Sequence, residues 1–497
     1  MKRSILIDVE PQMSSVALLE DGRLIEFHIE YKESNRLTGN IYKGRVDNVL
    51  QGLASAFVHI GLGRNGFLNV GETLDDRADL RDLAPSALQQ KAGDYVMVQV
   101  TKEEVGQKGA RLTSAISLPG RYVVYLPHID FVGISNKITD PARRDMLLKL
   151  LKKHKPAGGG LIARTVCIDA KKSDILAEIK RMQALFDKIQ KAYDEADGVC
   201  LLHSEADLVY RSVRDMLGGD IENIICNDAP TVARLKSLLK ELESDFHHKV
   251  QYYESEYDIW DVFGVSDEID KLLERKVSLP SGGSLVIDRT EALTAIDVNT
   301  GSFAAGSDRE ETVYLTNKEA AKEIARQLRL RNIGGIIVVD FIDMVNEAHK
   351  AAVVEVLRNE VVRDRIKTRV QDMTQLGLVE MTRKKVGKEL STKLLEPCSH
   401  CKGVSSVPNG DYVSRKLKAA VKRLFAENDF QNAVVTVHAN VIDRIFSGRY
   451  FASMCQNEWK NKRIYLVPDA HIKPSAFVLT GNNEISLSLP PTARLLY

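Results

Sequence analysis

The sequence predicts a multidomain α+β chain, and three observations carry that expectation. Its 497 residues suffice for two to four domains, and 44% hydrophobic with 28% charged residues is the balance of a globular protein. Residues 36–119 run in short alternating apolar–polar segments separated by glycines, the pattern of a small β-barrel. Residues 283–346 hold two apolar runs that each end in an acid, joined by a segment of helical spacing, the pattern of a strand–helix–strand unit.

In chain order, residues 1–35 read as three strands, SILIDVE, SSVALLEDG and RLIEFHIEY, with a turn at Asp21–Gly22. Three strands are too few to close a core, so they are expected to join a later segment. Within 36–119 the strands are NIYKGRVDNVL, SAFVHIGL, NGFLNVGE and DYVMVQVTKE, with turns at Gly52, Gly63 and Gly66. A longer connection covers 73–90, and KGARLTSAISL closes the set. Phe57 and Phe67 fall on neighbouring strands, with Lys43, Arg45, Arg64, Lys102, Lys108 and Arg111 near them in sequence. Aromatic faces among cations are how OB-type barrels hold single-stranded nucleic acid, although two core phenylalanines fit the same pattern.

Residues 120–215 carry RYVVYLP, a helical stretch from Asp140 to Lys155, GGGLIARTVC and an amphipathic helix over 171–195. Arg164 and Thr165 end an apolar strand. An Arg fork beside a hydroxyl suits a phosphate, but an ordinary surface arginine reads the same way. Residues 216–280 mix helix and short strands (ENIICND, TVARLKSLLKEL, KVQYYE) and are expected to complete the N-terminal strands.

The acidic unit follows. GSLVIDRTEALTAIDVNTGS brings Asp297 and Asn299 to a strand end, and GGIIVVDFIDMVN does the same for Asp340, with Asp343 three residues on. Between them, Ala320, Ile324 and Leu328 lie on one helical face, and Gly334–Gly335 reads as a stop. A strand–helix–strand unit returns its second strand beside the first, with both carboxyl ends on one edge. Asp297 and Asp340 then face each other, and two carboxylates that close repel unless a cation sits between them. Hard oxygen ligands suit Mg²⁺. Singly, each Asp is also an ordinary turn or N-cap residue; together with Asn299 the pair favours a metal. The unit runs on through the helix EAHKAAVVEVLRNEVVRDR and the basic stretch EMTRKKVGKEL.

PCSHCKG at 397–403 is a C-x₂-C followed by Gly, the turn of a zinc knuckle, yet the chain has no second C-x₂-C. Structural zinc takes four ligands, so Cys398 and Cys401 of another copy, related by a two-fold axis, supply the rest in one reading. A redox dithiol and an intrachain site using His400 are the alternatives. Residues 404–497 read as a helix (SRKLKAAVKRLFAEN), a strand (NAVVTVHA) and further small elements without a chemical constellation.

A formal net charge of +1 leaves no global polyelectrolyte signature, so any nucleic-acid binding rests on local patches. Six cysteines (Cys167, Cys200, Cys226, Cys398, Cys401, Cys455) in so long a chain make no disulfide framework. With no apolar run near 18 residues and no charged-then-apolar leader, the expectation is a soluble cytoplasmic protein without a membrane span.

The order of these features resembles the ribonuclease E/G family of bacterial endoribonucleases over about residues 1–410, and in length its short ribonuclease G form. The resemblance rests on GNIYKGRV, AFVHIG, GLIART, LPSGGSLVIDRTEALTAIDVNTG, EIARQLRLRNIGGIIVVDFIDM, LGLVEMTRKK and the C-x₂-C-x-G. It implies a ribonuclease H-like domain (1–35 with 216–280) lacking its usual acidic site, and indeed no acid cluster stands out there. It further implies an OB-fold RNA-binding domain (36–119), a 5′-end sensor (120–215), a catalytic α/β nuclease domain (281–395), a zinc link (396–403) and a small C-terminal domain (404–497).

By the same resemblance Asp297 and Asp340 hold Mg²⁺ with Asn299 as companion. Phe57, Phe67 and Lys108 contact RNA, and Gly120, Val124, Arg164 and Thr165 sense a 5′-monophosphate. Cys398 and Cys401 share Zn²⁺ between two chains, giving a homodimer; whether dimers pair into a homotetramer stays open. Lys367 stands where the family's sensor has an Arg, and a point charge without the bidentate fork implies weaker or rearranged 5′-end sensing. The implied activity is hydrolytic cleavage of single-stranded RNA, in rRNA maturation and mRNA decay, leaving 5′-phosphate and 3′-hydroxyl with a preference for 5′-monophosphorylated substrates. Attack by a 2′-hydroxyl needs a general base such as His, and none accompanies the motif. The alternatives are a non-catalytic RNA-binding or ribosome-associated protein, which has no need of the acid pair, and a metal-dependent DNA nuclease or phosphatase.

Overall fold

The alternation of SILIDVE, SSVALLEDG and RLIEFHIEY becomes three antiparallel strands, Arg3–Val9, Met13–Glu20 and Arg23–Tyr31. Asp21 (φ 49°) and Gly22 (φ 82°) turn the second into the third; two successive positive φ values match the twist of a tight hairpin, which is why Asp-Gly stands there. The computed structural model describes residues 2–32, 36–50, 52, 55–69, 90–104, 109–218, 220–241, 245–300, 309–397, 406–452, 454, 459, 461–483 and 489–496. They divide into two units, one of Met1–Lys32, Asp220–Arg234 and Lys249–Tyr497, the other of Glu33–Gly219 and Leu235–His248. Among the described residues no helix is long and apolar enough to cross a membrane.

In the first unit the N-terminal strands are extended by two parallel neighbours, Ile221–Cys226 beside Arg3–Val9 and then Val250–Tyr252. Leu6, Met13, Leu19, Leu24 and Phe27 bury one face of this sheet with Trp260, Ile269, Leu394 and Tyr412. The structure also gathers acids that sequence spacing had hidden: Asp8, Glu10 and Asp258 are all buried. Asp8 accepts from Asn227 Nδ2 (2.6 Å) and Trp260 Nε1 (3.0 Å), and Arg415 Nε lies 3.6 Å from it. Arg415 also reaches Asp258 (3.5 Å), and Lys418 holds both oxygens of Glu10. Both cations come from the helix Gly410–Glu427, so an ion cluster fastens that helix to the N-terminal strand.

A six-stranded sheet follows, in the order Lys276–Ser278, Ser284–Arg289, Leu293–Asn299, Gly335–Asp340, Leu378–Arg383 and Thr368–Met373. Only Leu293–Asn299 and Gly335–Asp340 run parallel, joined by the helix Arg309–Leu330. Ile296, Val298, Ile337 and Val339 pack with Ala320, Ile324 and Leu328 of that helix and with Val353 and Leu357 of the helix Glu347–Val362. The crossover helix ends sooner than the Gly pair implied, because Asn332 takes the left-handed conformation (φ 51°) and its amide donates to the carbonyls of Val386 and Lys388.

Leu395–Pro397 and Ser406–Pro408 pair antiparallel on either side of the cysteine segment. Beyond them a four-stranded sheet, ordered Phe477–Asn482, Asn432–Val437, Arg463–Pro468, Arg494–Leu495, packs against the helices Gly410–Glu427 and Ala439–Gly448.

The second unit holds a closed five-stranded barrel of the OB-like kind. Ile41–Leu50, Ser55–His59, Gly66–Asn69, Arg111–Thr113 and Tyr95–Lys102 follow one another around it, and Tyr95–Lys102 pairs back onto Ile41–Leu50. Val46, Ala56, Val58, Leu68, Val98 and Leu112 fill the interior. A second sheet (Val132–Ile134, Gly160–Ala163, Val123–Leu126, Leu118–Pro119) packs with the helices Pro141–His154 and Lys172–Glu195. Asp140 caps the first helix through the amides of Ala142 and Arg143, with Pro141 opening it.

Candidate functional site

Strand register sets the acidic edge. Asp297 is the partner of Asp340 across the parallel pair, the last residues on which the two strands meet. Side chains of paired residues share a face, and successive residues alternate, so both acids and Asn299 lie on the side opposite the helix-packed Ile296, Val298 and Val339. All three are exposed. Asn299 Nδ2 donates to Asp297 Oδ2 at 2.9 Å, which orients that carboxylate.

The Asp340 carboxyl is held above the usual carboxylate range, first by partial burial, then by the negative charges of Asp297 and Asp343. A cation placed among them relieves that repulsion. Among the described residues no group of three or more His, Cys, Asp or Glu is arranged to hold a metal ion. Two carboxylates with open coordination suit Mg²⁺, which keeps several waters and takes substrate phosphate oxygens alongside one or two acids.

The loop after Asp340 is fixed by a residue that spacing did not single out. Asn317, fully buried on the crossover helix, donates from Nδ2 to the Ile342 carbonyl (2.8 Å) and accepts from the Ile342 amide (3.1 Å). Glu310 on the same helix accepts from the amides of Val345 and Asn346, and these bonds hold its carboxyl below the usual range. An amide side chain on an otherwise apolar helical face was the available signal for Asn317.

In the barrel, Phe57 and Phe67 are partners across adjacent strands, with ring centroids 5.7 Å apart in an edge-to-face pair. Phe57 is 36% exposed while its neighbours Ala56 and Val58 are buried, so the pair points out of the barrel and the core reading falls. Arg111 is the register partner of Phe67. Lys43 is withdrawn from the cationic set: its ammonium donates to the carbonyls of Tyr193 and Ala196 (2.8 Å each) and lies over the Tyr193 ring. Arg45 pairs with Asp47. Lys108 lies outside the described residues, as do Cys398 and Cys401.

Gly120, Val124, Arg164 and Thr165 come together at one end of the second sheet. The Val124 strand pairs with the strand leading to Arg164, and the Arg164 amide donates to the Tyr122 carbonyl. Thr165 Oγ1 lies 3.0 Å from Ser135 Oγ. A Cβ at Gly120 would stand 2.6 Å from the Glu178 carboxylate, so only glycine fits. Glu178, buried on the helix Lys172–Glu195, accepts from the amides of Arg121, Tyr122 and Val123 and so fixes this turn. Lys367 belongs to the other unit, exposed just before the strand Thr368–Met373.

Fold and site together define a mixed α+β chain in which an OB-like barrel with an outward aromatic pair accompanies an α/β sheet with a paired-carboxylate edge. The ribonuclease E/G family profile matches residues 117–386. The chain is 35% identical to Ribonuclease G of Escherichia coli (strain K12) over 445 residues, 88% of this chain and 90% of that one. Ribonuclease G of Haemophilus influenzae is 36% identical over 428 residues, 85% and 87% of the two chains. Ribonuclease E of Escherichia coli (strain K12) is 35% identical over 457 residues, 89% of this chain but 42% of that one. This chain therefore belongs to the ribonuclease E/G family.

Proposed function

We propose that the chain is a Mg²⁺-dependent endoribonuclease that hydrolyses single-stranded RNA and leaves a 5′-phosphate and a 3′-hydroxyl. The observation that carries this reading is the register pairing of Asp297 with Asp340 on an open sheet edge, in a chain of this family. Asp297 and Asp340 hold the ion, Asn299 orients Asp297, and Asn317 keeps the following loop in place. When bound, the ion supplies a Lewis acid that activates water and offsets charge developing on the phosphate. Phe57 and Phe67 stack bases beside Arg111, with Lys108 adding a backbone contact. Gly120, Val124, Arg164 and Thr165 take a 5′-monophosphate.

The reading extends to the domain scheme: a ribonuclease H-like domain from 1–35 and 216–280, an inserted barrel and sensor, the nuclease domain 281–395 and a zinc link at 396–403. Cys398 and Cys401 of two chains share one Zn²⁺, which makes the working form a homodimer in the cytoplasm, serving rRNA maturation and mRNA decay. The test is a labelled single-stranded oligonucleotide offered as RNA and as DNA, with and without Mg²⁺. Cleavage of RNA alone, and only with the ion, supports the proposal. Equal cleavage of DNA points to a broader nuclease, and binding without cleavage points to an RNA-binding module.

Phe57→Ala is expected to weaken single-strand binding by about 1–3 kcal/mol, the worth of one base stacked on an aromatic ring. Because Phe57 points outward, the melting temperature should hardly move. A large drop in melting temperature with normal affinity would return the ring to the core.

A further inference from the structure

The Arg164 guanidinium is held from one side only. Its Nη1 donates to the Gly120 carbonyl and, at 2.8 Å, to Asp215 Oδ1, which uses both hydrogens of that nitrogen. Among the described residues Nε and Nη2 meet no partner, and the side chain is 27% exposed. Those two nitrogens form the side-on edge of the guanidinium, the fork that matches two oxygens of one phosphate.

Asp215, on the helix Leu208–Met216, is itself fixed from behind. The same Oδ1 accepts from Arg214 Nε at 3.2 Å, and Arg214 Nη1 donates to the Pro119 carbonyl (2.9 Å) and to Glu205 (3.1 Å). Consecutive carbonyls, Pro119 and Gly120, thus each take one guanidinium, and one carboxylate lies between the two cations. Burial pushes the Asp215 carboxyl up, but Arg164 and Arg214 outweigh it and hold the group below the usual range. Glu178 fixes the turn that carries those carbonyls through three amides. Among the described residues the groups that hold Arg164 are themselves bonded on the side that faces it, while its own Nε–Nη2 edge is left open.

We propose that Asp215 is a positioning residue: with the Gly120 carbonyl it clamps Nη1 of Arg164 and so presents the Nε–Nη2 edge to a terminal phosphate. This rests on the reading of Arg164 as a 5′-monophosphate contact. Asp215 does not compete with the phosphate, because it occupies the nitrogen away from the side-on fork. A guanidinium without this clamp rotates about its long stem and must lose that freedom on binding each substrate.

The test compares cleavage of one RNA sequence bearing a 5′-phosphate or a 5′-hydroxyl, with KM and kcat measured separately and melting temperatures recorded. Arg164→Ala sets the floor by removing the gap between the two ends. Asp215→Ala should raise KM for the phosphorylated RNA by about tenfold, the size of one charge-assisted hydrogen bond, and leave the hydroxyl RNA unchanged. Asp215→Asn, whose Oδ1 still accepts from Nη1, should keep most of the gap. An unchanged gap in Asp215→Ala, with Arg164→Ala closing it, overturns the positioning role and leaves the sensing site standing. A wider gap makes Asp215 a competitor, and equal losses on both RNAs make it merely structural; either result overturns the proposal. Wild-type protein without a gap removes the sensing reading and the proposal with it.

Discussion

Asp340→Asn is expected to lower RNA cleavage by three or more orders of magnitude, a loss of about 4 kcal/mol or more in transition-state stabilisation, while RNA affinity and melting temperature stay near wild type. Asparagine keeps the shape of the side chain and removes the charge that, in the proposed function, holds the ion. Asp340 is exposed at a strand end, outside the apolar core, so the fold does not depend on it. Asp297→Asn should behave alike, since the two carboxylates are register partners facing one site. RNA is gripped in this reading by the barrel, which neither substitution touches. Turnover near wild type for either variant at ordinary Mg²⁺ would remove the metal assignment.

Arg415→Met should cost the fold about 3–5 kcal/mol near neutral pH, because it strips a buried cation from two buried acids. Burial, and for Asp8 the nearby Glu10, raise the carboxyls of Asp8 and Asp258 above their usual range even while Arg415 and Lys418 pull Asp8 down. For an acid with a raised folded-state pKa, the stabilising contribution of the bound proton is full below the unfolded value. It is lost as pH rises through the folded value. The variant should therefore be least stable at alkaline pH and recover part of the deficit as pH falls and the acids protonate. Urea unfolding of both proteins at pH 5 and pH 8 measures this. A deficit independent of pH would mean that lost packing over the Trp260 ring, 5.5 Å from the guanidinium, outweighs charge.

How much of this was legible in the sequence depends on whether an interaction is local. The N-terminal hairpins were readable because alternation and Asp21–Gly22 act within a few residues. The Asp297–Asp340 pairing was readable because a parallel return through one helix leaves little freedom of register. Phe57 was undecided because alternation states that Phe57 and Val58 face opposite ways, not which way is in. Lys43 misled because closeness in sequence does not reveal that a long side chain folds back onto a helix end. Glu178, Asp215 and the Asp8–Asp258–Arg415 cluster were illegible for a common reason. Each is a polar residue with a defining partner 51 or more positions away, beyond what spacing encodes.

The interleaving of the two units bears on the order in which a growing chain can fold. The strand Arg3–Val9 needs Ile221–Cys226 beside it, and its acid needs Arg415, so it must wait while the inserted segment is made. At typical synthesis rates that wait for the second strand is roughly ten to forty seconds, during which an apolar strand edge stays unpaired. The barrel has no such delay: its five strands, and Cys200–His203 alongside, lie within the insertion and have all emerged well before the strand Leu378–Arg383 completes the acidic sheet. If the barrel and the acidic edge act as proposed, a ribosome-bound chain acquires its single-strand grip before its cutting edge. In that reading, tethering to a transcript precedes any capacity to damage it; the ion cluster on Arg415 closes the unit only when the helix Gly410–Glu427 has emerged.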